Sequence, residues 1–198
     1  QIEALNLLLR QNLEKGNNEI SSAVWSALKG KDYIEEIIVP TEQKSWQQAL
    51  GNNPLVNLDN RLTLNKQQAL AFSQLLFQEG FNVWLLEGVT GSGKTEIYLQ
   101  YIEEVLKKGK QVLVLVPEIG LTPQTVRRFQ ARFNVEIDVL HSNLNDTQRL
   151  NVWERARTGQ SAIVIGTRSA LFTQFSNLGL IILDEEHDGS FKQQDGWR

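Results

Sequence analysis

From about Leu62 onward the apolar residues fall into short unbroken runs separated by amphipathic stretches. Val112-Leu113-Val114-Leu115-Val116, Ala162-Ile163-Val164-Ile165 and Leu180-Ile181-Ile182-Leu183 have the continuous character of strands buried on both faces. Val83-Trp84-Leu85-Leu86 reads the same way, and Val135 to Leu140 predicts a further strand. Between the runs lie helical patterns. One covers Lys66 to Gln78 and stops at Gly80; another runs to Lys108 and stops at Gly109. Thr122-Pro123 supplies an N-cap and a first-turn proline for a third. Asn145 followed by Gln148 is a capping-box pattern that opens a fourth. Strands alternating with helices predict βαβ units, and therefore an α/β fold with a parallel sheet and helices on both faces.

The first fifty residues have a different texture. Leu5, Leu7, Leu8, Leu9 and Leu13 run into Lys15-Gly16-Asn17-Asn18, which predicts a helix with a Gly/Asn stop. A second helix is expected over Glu19 to Leu28. A strand is expected over Glu35 to Val39, ended by Pro40. Gly51-Asn52-Asn53-Pro54 is a turn, which divides the chain into a winged-helix-like module over 1–56 and an α/β lobe over 57–198. Trp84 and Trp153, lying in strand and helix patterns, are expected in the core.

Composition narrows the classes. The 198 residues are 41% hydrophobic and 22% charged, close to a globular average, and no apolar run approaches the roughly 20 residues that span a bilayer. No membrane partner is therefore expected. No basic segment followed by an apolar stretch opens the chain, so a cytoplasmic setting is the default. With no cysteine and two histidines, no zinc cage is expected within these residues. A net charge of -3 excludes a protein held to nucleic acid by overall charge, so any such contact must be local. Methionine is absent even at position 1, which predicts a piece of a longer chain.

The chemistry concentrates in two segments. Gly88-Val89-Thr90-Gly91-Ser92-Gly93-Lys94-Thr95 matches the phosphate-binding pattern GxxxxGK(S/T), placed after a predicted strand and before a helix. Gly88, Thr90, Gly91, Ser92 and Gly93 would cradle phosphates with backbone N–H groups at a helix N-terminus. Lys94 would reach the β- and γ-phosphates of ATP, and the Thr95 hydroxyl would ligate Mg²⁺. The second segment, Asp184-Glu185-Glu186-His187, closes a predicted buried strand, the end of an open α/β sheet where ligands bind. Asp184 would hold Mg²⁺, and Glu185 would orient or deprotonate a water. Glu186 and His187 are candidates for coupling the nucleotide site to a second site, with loop capping the alternative for His187.

These motifs, together with Val116-Pro117-Glu118 and Gly166-Thr167-Arg168-Ser169-Ala170, resemble superfamily 2 helicases. Pro117-Glu118-Ile119-Gly120-Leu121-Thr122-Pro123-Gln124 and Asp184 to Asp188 resemble in particular the bacterial primosomal replication-restart helicases, the primosomal protein N′ family, over roughly residues 60–198. The resemblance implies a RecA-like P-loop lobe of an ATP-driven 3′-to-5′ DNA helicase. It would act in replication restart and primosome assembly, with DNA, single-strand-binding protein and other primosome proteins as partners. The same resemblance places Gln68 on adenine and makes Pro117–Thr122 and Thr167–Ala170 DNA-contacting. It also makes Phe191, Lys192 and Trp197 part of an aromatic-rich loop. Zinc, a second motor lobe and an arginine finger are implied only outside these residues, so the fragment alone would be poorly active.

Physical readings stand beside those roles. Thr122 suits a phosphate contact or plain N-capping, and Arg168 and Ser169 suit phosphate contacts or an ordinary surface. Phe191 and Trp197, interleaved with Lys192 and Arg198, suit base stacking or packing against a remainder of the protein outside these residues. Arg10, Lys15, Lys29, Lys31 and Lys44 read as a solvated face. Two other functions compete: another P-loop enzyme such as a nucleotide kinase, for which no acceptor site or lid is visible, and a DNA-binding module resting on 1–56 alone.

Overall fold

The structure is a computed structural model describing residues 22–31, 33, 43–76 and 80–192. It divides into two compact units, Gln1–Glu42 and Gln43–Arg198. In the first unit the described helix is α1, Ser22–Lys29, closed by the Gly30 amide on the Ser26 carbonyl at 2.9 Å. The leucine-rich helix expected before it and the strand expected over Glu35 to Val39 lie outside the described residues. The boundary falls at 42/43, fourteen residues before the expected 56/57, because the connecting segment packs onto the lobe. Helix α2, Trp46–Leu50, carries a capping box of Ser45 and Gln48 and buries Trp46. Val56 is also buried and bridges Phe133.

The lobe continues with α3 (Lys66–Leu76), α4 (Lys94–Lys107), β1 (Gln111–Leu115), α5 (Pro123–Arg132), β2 (Ile137–Leu140), α6 (Asp146–Arg157), β3 (Ile163–Gly166) and β4 (Leu178–Leu183). The four strands form one parallel sheet in the order β2-β3-β1-β4. Alternation along the central strands explains its two faces. Val112, Val114, Ile163 and Ile165 point to one side, where they meet Leu99, Ile102 and Leu106 of α4 and Phe129 of α5. Leu113, Leu115 and Val164 point to the other, against Val152 and Ala156 of α6. Both expected N-caps are present. Thr122 Oγ1 accepts from the Thr125 amide at 3.2 Å, and Asn145 Oδ1 accepts from the Gln148 amide at 2.8 Å.

Gly166 ends β3 where only glycine fits. A Cβ there would sit 2.5 Å from the Ala170 side chain and 2.7 Å from the Leu140 carbonyl. This close approach folds Thr167–Ala170 tightly over the sheet end. Gly166→Ala is therefore expected to cost about 1–3 kcal/mol, as overpacking does, measured by denaturant unfolding. A cost within experimental error of zero would mean the turn has room to relax.

Three expectations are corrected. Residues 83–86 form no strand and join no ladder among the described residues, with Phe81 93% and Val83 81% exposed. Trp84 is 45% exposed, so it is not a core residue. Trp153 is 40% exposed, because α6 turns its Val152 and Ala156 face inward and carries Trp153 away. An apolar run shows that a segment suits burial between neighbours; it does not supply them. Strand β4 is an edge among the described strands and is equally apolar, with Leu178, Ile181 and Leu183 exposed.

Candidate functional site

The glycine loop runs from Gly88 to α4. Gly93 caps that helix in the left-handed region (φ 84°), and a Cβ there would collide with the Gln68 amide. Only glycine satisfies both demands. Gln68 is fastened at both ends. Its Nε2 donates to the Ser92 carbonyl at 2.8 Å, and its Oε1 accepts from the Asn65 amide at 2.8 Å. The Asn65–Gln68 box that opens α3 thus also pins the loop. Lys94 bends back over the loop, Nζ donating to the Gly88 carbonyl at 2.5 Å and the Val89 carbonyl at 3.3 Å. Thr90 and Gly91 are exposed at the loop crest.

The acidic motif stands at the carboxyl end of β4, where the Asp184 amide donates to the Leu115 carbonyl at 2.9 Å. The Tyr98 hydroxyl, one turn into α4, donates to Asp184 Oδ2 at 3.1 Å. Burial, and then the Asp184 carboxylate, push the Tyr98 phenol well above its usual range, while the Thr95 hydroxyl beside the same oxygen pulls the other way. Tyr98 therefore remains a protonated donor at neutral pH, and its phenol joins Asp184 to the helix that carries Thr95, the two expected Mg²⁺ ligands. Glu185 follows with φ 53°, a strained conformation for a residue with a side chain. Its carboxylate lies 3.5 Å from His187 Nε2, and both are exposed, as is Glu186.

The segments expected to meet DNA leave the same sheet edge. Pro117–Thr122 follows β1, and Thr167–Ala170 follows β3, held by the Thr167 amide on the Leu140 carbonyl at 3.3 Å. Thr122 is exposed while its hydroxyl caps α5. Thr167 is buried, whereas Arg168 and Ser169 are exposed in the 3-10 turn Arg168–Phe172. Phe191 packs against the lobe beside Leu144 and Phe175, on the face that carries Val152 and Ala170. Lys192 is exposed, and Trp197 lies outside the described residues.

A charged network, unforeseen from the sequence, ties α4 to α5. Arg132 is 1% exposed. Its Nη2 lies 3.1 Å from Glu96 Oε1 and 3.9 Å from Glu103 Oε2, and its Nη1 donates to the Asn60 carbonyl at 2.7 Å. Gln100 donates to Glu96 at 2.8 Å, and Arg61 and Lys107 pair with Glu103 at 3.5 and 2.8 Å. The signal was available. Glu96, Gln100, Glu103 and Lys107 are spaced 4, 3 and 4 along α4, one polar stripe on a helix with a wide apolar face. Tyr98 was missed too, though its position three residues after Thr95 puts the two on one face.

The DEAD/DEAH box helicase family matches residues 65–198. Over all 198 residues the chain is 80% identical to the replication restart protein PriA of Haemophilus influenzae, covering 27% of that protein. It is 50% identical over 180 residues to PriA of Bacillus subtilis, covering 89% of this chain and 22% of that protein. With PriA of Synechocystis it shares 52% identity over 144 residues, 73% of this chain and 17% of that protein. The chain thus spans about a quarter or less of the length of these relatives. The structure of RecG bound to a three-way DNA junction matches 66% of this chain and 23% of that one, with a TM-score of 0.55 at 22% identity, a likeness of fold.

Proposed function

We propose, on the premise that this chain belongs to the DEAD/DEAH box helicase family, that it is the ATP-binding lobe of a 3′-to-5′ DNA helicase acting in replication restart. The observation that carries the reading is the Tyr98 bond to Asp184, which joins the helix of the glycine loop to the acidic strand end. The loop amides bind the phosphates of ATP. Lys94 exchanges the carbonyls of Gly88 and Val89 for phosphate oxygens, and Gln68 exchanges Ser92 for adenine. Thr95 and Asp184 supply the oxygen donors that suit Mg²⁺, which takes one or two protein oxygens beside those of phosphates. Bound there, Mg²⁺ would neutralise charge on the phosphates, and Glu185 would orient the attacking water and take up its proton.

Zinc finds no comparable donor set here, since the chain has no cysteine. Arg168, Ser169, Lys192 and the start of α5 hold the DNA backbone, while Glu186 and His187 relay between the two sites. A second lobe completes the motor, and single-strand-binding protein and primosome proteins are its partners in the cytoplasm. The unit that precedes residue 43 serves as the winged-helix-like module. No described helix is long and apolar enough to cross a membrane.

The test is steady-state ATP turnover of the full-length protein with and without single-stranded DNA. Strong stimulation by DNA is expected. Arg168→Ala is expected to weaken binding at low salt and to flatten the plot of log affinity against log salt by about 0.7, the share of one lost phosphate contact on a single strand. Turnover indifferent to DNA would leave a phosphate-binding enzyme of another kind and remove the roles given to Arg168 and Lys192.

A further inference from the structure

Tyr98 is a half-buried phenol that the family motifs leave without a role, and it has two ends with different tasks. The ring stacks on Phe129 of α5 with centroids 6.4 Å apart and planes 19° from parallel, and Phe129 leans on Phe133 at 6.5 Å. Phe129 and Phe133 are fully enclosed, so the ring rests on a rigid base. The hydroxyl reaches Asp184 Oδ2 at 3.1 Å and lies beside the Thr95 hydroxyl.

We propose that Tyr98 is a positioning residue for the nucleotide-bound metal: its hydroxyl orients the Asp184 carboxylate and spaces it from Thr95, while its ring ties both to α5. The proposal rests on the reading of this site as an ATP and Mg²⁺ site. A carboxylate at a strand end can rotate about its last two bonds. One donated hydrogen bond on Oδ2 fixes that rotation and leaves Oδ1 to face a cation, the way outer hydrogen bonds set the ligands of metal sites elsewhere. Phe129 lies on the helix whose first turn follows Pro117–Leu121. The phenol therefore also links the carboxylate to the segment proposed to contact DNA.

The experiment compares the full-length protein with its Tyr98→Phe and Lys94→Ala variants by titration with a fluorescent ADP analogue, once with Mg²⁺ and once with a chelator. The quantity read is the gain in affinity that Mg²⁺ confers. Tyr98→Phe keeps the stacked ring and removes only the donor. It is expected to lower the Mg²⁺ gain by about tenfold or more, with affinity in chelator and thermal unfolding of the nucleotide-free protein unchanged. An unchanged Mg²⁺ gain in Tyr98→Phe, with Lys94→Ala still losing nucleotide, would overturn the role of Tyr98 and leave the ATP site standing. An equal loss of affinity with and without Mg²⁺ would also overturn it, since that is the mark of a general structural change. No Mg²⁺ gain in the unaltered protein, together with no loss in Lys94→Ala, would overturn both this role and the ATP reading beneath it.

Discussion

Lys94→Ala is expected to lower ATP turnover of the full-length protein by about two to three orders of magnitude, the scale on which removal of one preorganised charge donor acts. The fold should survive. Among the described residues the ammonium contacts two loop carbonyls, those of Gly88 and Val89, and both residues are exposed, so water replaces the lost donor. The four-carbon stem is half-buried and is not one of the lobe's core side chains. Turnover and thermal unfolding measured on one preparation separate the two effects. Near-normal turnover would remove Lys94 from the phosphate site. Collapse of the fold would mean that the loop depends on its own lysine.

Arg132→Ala is expected to destabilise the lobe by about 3–5 kcal/mol, because it leaves buried carboxylates without their cation. Glu96 bears most of the loss, since Arg132 is its charged partner, whereas Glu103 keeps Arg61 and Lys107. Adding Glu96→Gln to Arg132→Ala should return more than 1 kcal/mol, because the second change removes the stranded charge. Urea unfolding of the single and double variants reads both numbers. A cost below about 1 kcal/mol for Arg132→Ala would show that the cluster is solvated enough to behave as a surface pair.

What could be read from the residues follows from what each signal reports. All four strands of the sheet were legible: the runs at Val112 to Val116 and Ala162 to Ile165 suit burial on both faces and find it between neighbours, whereas Leu180 to Leu183 pairs on one side among the described strands and keeps Ile181 and Leu183 exposed. The same rule misplaced Val83–Leu86, since periodicity describes one segment and says nothing of whether a partner lies beside it. The caps at Thr122 and Asn145 were legible because a cap is satisfied within four residues of chain. Ser45-x-x-Gln48 carried the same signature and went unread beside the turn at Gly51, so the boundary was placed too late.

In the candidate site, Gly88 to Thr95 and Asp184 to Glu185 were visible as motifs, since their backbone or sheet-end position is itself the message. Tyr98 and Arg132 were not. A phenol at a helix position and an arginine in a polar helix are ordinary in one dimension. Their meaning arises from residues 86 positions away for Tyr98 and 36 for Arg132.

The φ of 53° at Glu185 places a limit on improving this protein. Left-handed backbone is a conformation that glycine adopts without strain and that costs other residues of order 1–3 kcal/mol. Selection for heat resistance alone therefore pushes this position toward glycine and away from its carboxylate. A directed-evolution campaign scored on folding or yield therefore has a built-in route to glycine at this one codon; on the proposed role of Glu185 the sturdier molecule would be inert, and a library meant to keep turnover has to hold the codon fixed.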